Sequence, residues 1–119
     1  MNQLQSNPDV KAIWCARGGY GSVRLIDKID WTAFEKNPKW LCGFSDVTAL
    51  HAHLQNLGFA SLHSEMMVGF EKNTVQSHQS FYNALAGKEN KYAFAAHRLN
   101  RIGAALGEIV GGNLSVLYS

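Results

Sequence analysis

Twice within its first 56 residues the chain runs from an apolar segment of strand length, through a glycine-bearing turn, into helical spacing. Val10-Lys-Ala-Ile-Trp-Cys-Ala16 is almost continuously apolar, as expected of a strand buried on both faces. It enters Arg17-Gly-Gly-Tyr-Gly-Ser22, after which Val23, Ile26 and Ile29 recur on one side with Arg24 and Lys28 on the other. Trp31 to Asn37 reads as a short helical or turn segment closed by Asn37-Pro38. The second unit begins with the apolar run Lys39–Phe44, and from Asp46 the period changes: Val47, Leu50 and Leu54 share one helical face. Two strand–loop–helix units in succession predict an α/β sheet with right-handed parallel crossovers.

Ser45 sits at the second switch from strand to helix, with Gly43 just before it. A nucleophile elbow holds its hydroxyl at such a place, out of the sheet and beside free backbone N–H groups at a positive helix start. The esterase-type elbow carries a second glycine two residues after the serine, where this chain has Val47. The residues alone leave two readings open, a nucleophile or an ordinary helix N-cap.

Beyond Asn56, Gly58 is placed to stop the helix, and Phe59-Ala-Ser-Leu-His63 is a third short strand candidate. Met66–Phe70 is apolar and fits either period. Thr74 is expected to cap a helix running to about Leu85, with Gly87 ending it. Tyr92–Ala96 and Ala104–Val110 are further strand candidates, the latter entering Gly111-Gly-Asn-Leu-Ser115. A parallel sheet of two or three strands exposes long edges and leaves a helix layer uncovered, so the 119 residues are expected to be the middle of a longer protein.

An apolar share of 46% against 17% charged residues describes a globular chain with a core. The net charge of +2 is too small and dispersed to argue for nucleic acid or a membrane surface, so neither is expected as a partner. No apolar stretch reaches membrane-spanning length, and Met1-Asn-Gln-Leu-Gln5 is not a signal peptide. A cytoplasmic location is expected. Cys15 and Cys42 fall in the two best strand candidates, which suggests buried free thiols in a reducing compartment; a disulfide between neighbouring strands is the alternative.

A serine nucleophile needs a base, a group to orient that base, and two N–H donors for the oxyanion. The Asp46 N–H at the helix start is one candidate donor, and Gly18 or Gly19 another, because adjacent parallel strands place their C-terminal loops side by side. Glycine there lets the backbone approach a ligand closely. The same glycine loop could be only a tight turn or a phosphate-binding loop; its order does not match the dinucleotide fingerprint. No base is evident. His51 and His53 lie on different faces of the helix after Ser45, pointing away from its start, and read as surface or packing residues. His63 ends a strand near the same sheet edge and reads as a pocket residue, while Glu65 and Glu108 are the other carboxylates near apolar stretches. No H-x-x-x-H, C-x-x-C or paired-carboxylate spacing supports a metal or a glycosidase, and no cofactor is expected.

Three ordered motifs, Arg17-Gly-Gly-Tyr-Gly-Ser22, Gly43-Phe-Ser-Asp-Val-Thr-Ala-Leu-His51 and Gly111-Gly-Asn-Leu-Ser-Val-Leu117, resemble the L,D-carboxypeptidase family of serine peptidases. That family includes muramoyl-tetrapeptide carboxypeptidases and the microcin C immunity hydrolases. The resemblance covers about Pro8 to the last residue. It implies a parallel-sheet, flavodoxin-like N-terminal α/β domain over residues 1–110, incomplete at its start, with 111–119 opening a C-terminal domain. It implies Ser45 as nucleophile, and Asp46 with Gly18 or Gly19 as oxyanion donors. It also implies a two-domain, usually dimeric enzyme in which a Glu and a His of the C-terminal domain complete a Ser-His-Glu triad; no position here matches either. Many relatives have His-Gly-Pro after the third strand, where this chain has His63-Ser-Glu-Met66. Arg17 and His63 are the candidate substrate-binding residues. The activity implied is release of the terminal D-alanine from muropeptide tetrapeptides. The alternatives are acyl-adenylate hydrolysis conferring antibiotic self-immunity, or a non-catalytic fragment or binding module. On its own the 119-residue chain is expected to be inactive.

Overall fold

A computed structural model describes residues 1–119. Its centre is a three-stranded, all-parallel sheet in the order β1-β2-β3, with β1 Ala12–Trp14, β2 Trp40–Gly43 and β3 Leu62–His63. Ala12, Ile13 and Trp14 pair with Trp40, Leu41 and Cys42, and Cys42 and Gly43 with Leu62 and His63. The strands are shorter than their apolar runs, because only the stretches that meet a neighbour complete a hydrogen-bonded ladder.

The β1–β2 crossover is a 3-10 helix, Ser22–Lys28, followed by an α-helix, Trp31–Lys36. Asp30 caps the latter by accepting from the Ala33 N–H at 3.3 Å. We number the α-helices in chain order: α1 Asn2–Ser6, α2 Trp31–Lys36, α3 Thr48–Asn56, α4 Val75–Leu85 and α5 Leu114–Tyr118. The β2–β3 crossover is α3, preceded by one 3-10 turn at Ser45–Val47. Ile13 and Leu41, partners in register, belong to a core with Phe34 of α2 and Leu50 and Leu54 of α3. Both crossover helices therefore cover one face of the sheet. Side chains alternate along a strand, so Trp14 faces the other way, where its ring meets Phe70 at 4.7 Å and Phe81 of α4 at 5.0 Å. Its indole N–H donates to the Glu65 carbonyl at 2.8 Å. Helix–sheet–helix layering results, the α/β architecture expected from the sequence.

Thr74 caps α4 as expected, accepting from the Ser77 N–H at 3.1 Å. The strand expectations at 92–96 and 104–110 fail: both stretches lack regular structure and are exposed, with Leu106 and Ile109 almost completely so. Apolar content marks a segment that could pair, but a strand exists only where a neighbouring backbone accepts its hydrogen bonds.

Both cysteines are free. Cys15 follows Trp14, the register partner of Cys42, so alternation turns the two thiols to opposite faces. Burial, with the neighbouring Cys15 adding to it, pushes the Cys42 thiol up to about 11, and burial also raises Cys15. Neither is an activated nucleophile.

Candidate functional site

The strands end side by side, and their C-terminal loops form the site. Ser45 follows β2 by two residues and has φ +59°, the only non-glycine residue with positive φ. L-residues avoid this left-handed region because Cβ crowds the backbone, at a cost of roughly 1–3 kcal/mol. A helix N-cap needs no such conformation; N-caps use extended backbone. Phe44 holds that extended position, at φ −148°, immediately before the 3-10 turn.

Gly18 of the β1 loop lies directly against Ser45. A Cβ placed on Gly18 would stand 3.3 Å from Ser45 Cβ and 3.4 Å from its Oγ. Any side chain there would press into the hydroxyl, so the close approach requires glycine. The Gly18 and Gly19 N–H groups donate to nothing within the chain. The loop that carries them is fastened at its far end by the Asp46 carboxylate. Asp46 Oδ2 accepts from the Gly21 N–H at 3.0 Å, the Ser22 N–H at 2.9 Å and the Ser22 hydroxyl at 2.8 Å. Burial works to raise the Asp46 pKa, but the Gly21 and Ser22 hydrogen bonds outweigh it and hold the carboxyl below its ordinary value.

Ser45, Asp46, Gly18, Gly19 and Arg17 line one open cleft of about 410 Å³, with Met66, Asn113 and Ser115 completing its wall. The chain's one ion pair, Lys91–Glu89, lies elsewhere on the surface, so Arg17 carries an exposed guanidinium without a carboxylate partner. His63 is not in this cleft. It stands exposed at the end of β3, its ring 6.4 Å from Phe44, and borders two neighbouring cavities, one of them shared with His51 and Glu108.

None of the five histidines hydrogen-bonds to Ser45. His51 is buried, and its ring reaches back toward the elbow, which corrects the expectation that it points away from the helix start; side chains on a helix tilt toward its N-terminus. Its Nε2 lies 2.9 Å from the Gly43 carbonyl and its Nδ1 2.7 Å from Ser61 Oγ. A carbonyl only accepts, so Nε2 carries the proton and the Ser61 hydroxyl donates to Nδ1. The imidazole is thereby consumed in bracing the end of β2. His53 packs at a tilt against Trp31 with ring centroids 4.5 Å apart, His78 bonds the Phe70 carbonyl at 2.7 Å, and His97 accepts from the Leu99 N–H at 3.2 Å.

Burial, reinforced by His63, lowers the His51 pKa against the opposing effect of the Gly43 hydrogen bond. The unfolded chain therefore binds a proton that the folded chain refuses, and stability falls as pH drops below the ordinary histidine value of about 6.5. The urea midpoint is expected to be lower at pH 5 than at pH 7, and His51→Gln to flatten that difference. A midpoint independent of pH in the unaltered protein would contradict the buried, neutral imidazole.

Sequence reasoning missed Ser22 as the partner of Asp46, and Thr48 and Gly112 as a packing pair. Buried Thr48 accepts the Asn113 N–H at 2.9 Å, and a Cβ on Gly112 would overlap Thr48 Cγ2. The 111–113 segment is thus laid across the first turn of α3. Gly112→Ala is expected to lift it off, at an overpacking cost of about 1–3 kcal/mol. Amide exchange of Asn113 would report this directly; unchanged exchange and thermal midpoint would mean that Thr48 yields. The Ser22–Asp46 and Thr48–Asn113 hydrogen bonds span 24 and 65 residues, and no local pattern announces them.

The parallel α/β sheet delivers Ser45 in left-handed conformation at a strand-to-helix turn, as a nucleophile elbow would. The chain is a member of the LD-carboxypeptidase family: residues 1–64 match the LD-carboxypeptidase N-terminal domain. It is 34% identical over 125 residues to the "Probable murein peptide carboxypeptidase" of Bacillus subtilis, covering 100% of this chain and 39% of that protein. It is 30% identical over 120 residues to the "Murein tetrapeptide carboxypeptidase" of Pseudomonas aeruginosa, covering 92% and 39%. The chain thus spans about two fifths of the length of these curated relatives. Among solved structures it resembles the microcin C7 self immunity protein MccF in complex with aspartyl sulfamoyl adenosine. That match has a TM-score of 0.61 and 28% identity over 77% of this chain and 28% of that one. No helix is long and apolar enough to cross a membrane.

Proposed function

We propose that this chain is the nucleophile-bearing part of a serine L,D-carboxypeptidase that releases the terminal D-alanine from muropeptide tetrapeptides in peptidoglycan recycling in the cytoplasm. The observation that carries this reading is the left-handed backbone of Ser45 at the end of β2, with Gly18 packed on its hydroxyl. A strained conformation persists only where the surrounding fold imposes it, and such strain concentrates at functional sites. Ser45 Oγ attacks the scissile amide carbon. The N–H of Asp46 and that of Gly18 or Gly19 receive the developing oxyanion; collapse of the tetrahedral intermediate breaks the C–N bond, D-alanine leaves with the serine's proton on its amine, and water hydrolyses the acyl ester to free Ser45. Arg17, with no partner of its own, reads the terminal carboxylate of the substrate; His63 contacts substrate from the side of β3.

Each histidine of this chain is engaged elsewhere or stands outside the cleft, so the reading assigns the general base and its orienting carboxylate to a C-terminal domain. The boundary falls at Gly111, with residues 1–110 forming the N-terminal unit and 111–119 the entrance to the second; the whole enzyme is a homodimer. The names of the Bacillus and Pseudomonas relatives support the murein peptide substrate class. A second reading, hydrolysis of an acyl-adenylate-like antibiotic by the same serine, draws support from the likeness to MccF.

The test is mass spectrometry of an L-Ala-γ-D-Glu-diaminopimelate-D-Ala tetrapeptide and of an aminoacyl-adenylate analogue. Each is incubated with this chain and with a protein of the relatives' full length carrying it. Loss of D-alanine with the longer protein alone is the expected outcome. Cleavage of the adenylate analogue alone would replace the muropeptide reading with the second one. Cleavage by the 119-residue chain would overturn the assignment of the base to another domain.

A further inference from the structure

We infer that the Asp46 carboxylate is a positioning residue that clamps the Arg17–Gly21 loop against Ser45. One residue then supplies an oxyanion donor from its backbone and holds in place, through its side chain, the loop that carries the other. This rests on the reading of Ser45 as the nucleophile. The loop has little else to fix it. Cβ atoms built on Gly19 and Gly21 would meet nothing within 4 Å, and Tyr20 is fully exposed. Three glycines in five residues carry a large backbone entropy that ordering must overcome.

The near end of the loop is tied to the sheet: the Cys15 N–H donates to the Cys42 carbonyl at 2.9 Å, and the Ala16 carbonyl accepts from Val68 at 3.1 Å. From Arg17 to Tyr20 no backbone hydrogen bond leaves the loop. At its far end the Gly21 carbonyl accepts from the Arg24 N–H at 3.0 Å, which joins it to the 3-10 helix that follows, and its hydrogen bonds to the Ser45 turn are those of Asp46 Oδ2, with three donors. Hydrogen bonds to an ionised carboxylate are about twice as strong as neutral ones, and the depressed pKa keeps Asp46 ionised at neutral pH. The span between these two anchors contains Gly18, the residue that touches Ser45. Ser45 and Asp46 are adjacent in sequence, so the clamp locks the loop directly to the elbow.

The distinguishing experiment measures kcat and KM for tetrapeptide cleavage by a full-length protein carrying this chain. The variants are Ser45→Ala, Asp46→Ala, Asp46→Asn and Ser22→Ala, with a thermal midpoint for each. An oxyanion donor acts mainly in the transition state, so a displaced loop lowers kcat and leaves KM within about threefold. Asp46→Ala is expected to lower kcat about 10²-fold, approaching the loss of a whole oxyanion donor. All three donors converge on a single oxygen, which an amide oxygen can replace, so Asp46→Asn should recover most of that loss. Ser22→Ala, which removes one of the three bonds and leaves the fold intact, should lower kcat about threefold, as loss of part of a hydrogen-bonded clamp.

Wild-type kcat in Asp46→Ala and Ser22→Ala, in a protein that Ser45→Ala inactivates, would overturn the clamp while leaving the nucleophile standing. Equal impairment of Asp46→Asn and Asp46→Ala at equal thermal stability would also overturn it, since charge rather than loop position would then matter. If Asp46→Ala fails to fold, Asp46→Asn and Ser22→Ala decide the question between them. Full activity in Ser45→Ala would remove the nucleophile reading and the clamp's purpose with it.

Discussion

Ser45→Ala is expected to reduce turnover of a murein tetrapeptide by about 10⁵–10⁶-fold in a full-length protein carrying this chain, the scale on which loss of a serine nucleophile is felt. KM should change little, because the hydroxyl contributes to the transition state far more than to binding. Activity within about tenfold of the unaltered protein would rule out Ser45 as the nucleophile. A companion variant separates chemistry from folding. Ser45→Gly should be equally inactive yet more stable, by about 1 kcal/mol, because glycine occupies φ +59° without the Cβ clash that serine endures. Alanine retains that clash, so Ser45→Ala should melt close to the unaltered protein. Inactive alanine and glycine variants that differ in stability in this direction are what a strained elbow predicts. A glycine variant no more stable than the alanine one would mean that the turn is not strained.

The largest expected loss of stability comes from Phe34→Ala, at about 3–5 kcal/mol. Phe34 is fully buried on α2, with ring centroids 6.1 Å from Trp31 and 5.5 Å from Phe59, and it packs in the core with Leu41 and Leu54. Removing it opens a cavity under β2 at the point where both crossover helices meet the sheet, and Leu41 and Leu54, themselves fully buried, have little freedom to collapse into it. Domains are stable by only about 5–15 kcal/mol, so this single change should take most of the margin. Phe34→Leu, which keeps more of the volume, should cost less. Urea unfolding of both variants checks the prediction; a loss below about 1 kcal/mol for alanine would show that the α2 layer is open in solution. The consequence reaches the site, because β2 ends at Gly43 and the elbow follows it.

Much of this was legible in the residues themselves. Apolar runs, glycine punctuation and the change of period at Ser45 were enough to place two parallel units and to single out the serine, because each signal is local and follows from strand and helix geometry. The α4 helix with its Thr74 cap was readable for the same reason. The failures were non-local. Tyr92–Ala96 and Ala104–Val110 have strand-like composition but no backbone to pair with. His51 looked like one more helix residue, whereas its ring is spent on the Gly43 carbonyl and Ser61, eight and ten residues away.

The sequence by itself determined the fold class, the family and the position of the serine, since periodicity and motif order are written along the chain. Only the tertiary structure revealed the left-handed backbone of Ser45, because a positive φ is invisible in composition. It alone revealed that Asp46 grips the glycine loop, that Gly112 lies on Thr48, and that no histidine of the chain is bonded to the serine. Those facts depend on contacts between residues far apart in sequence, and such contacts exist only once the strands have chosen their neighbours.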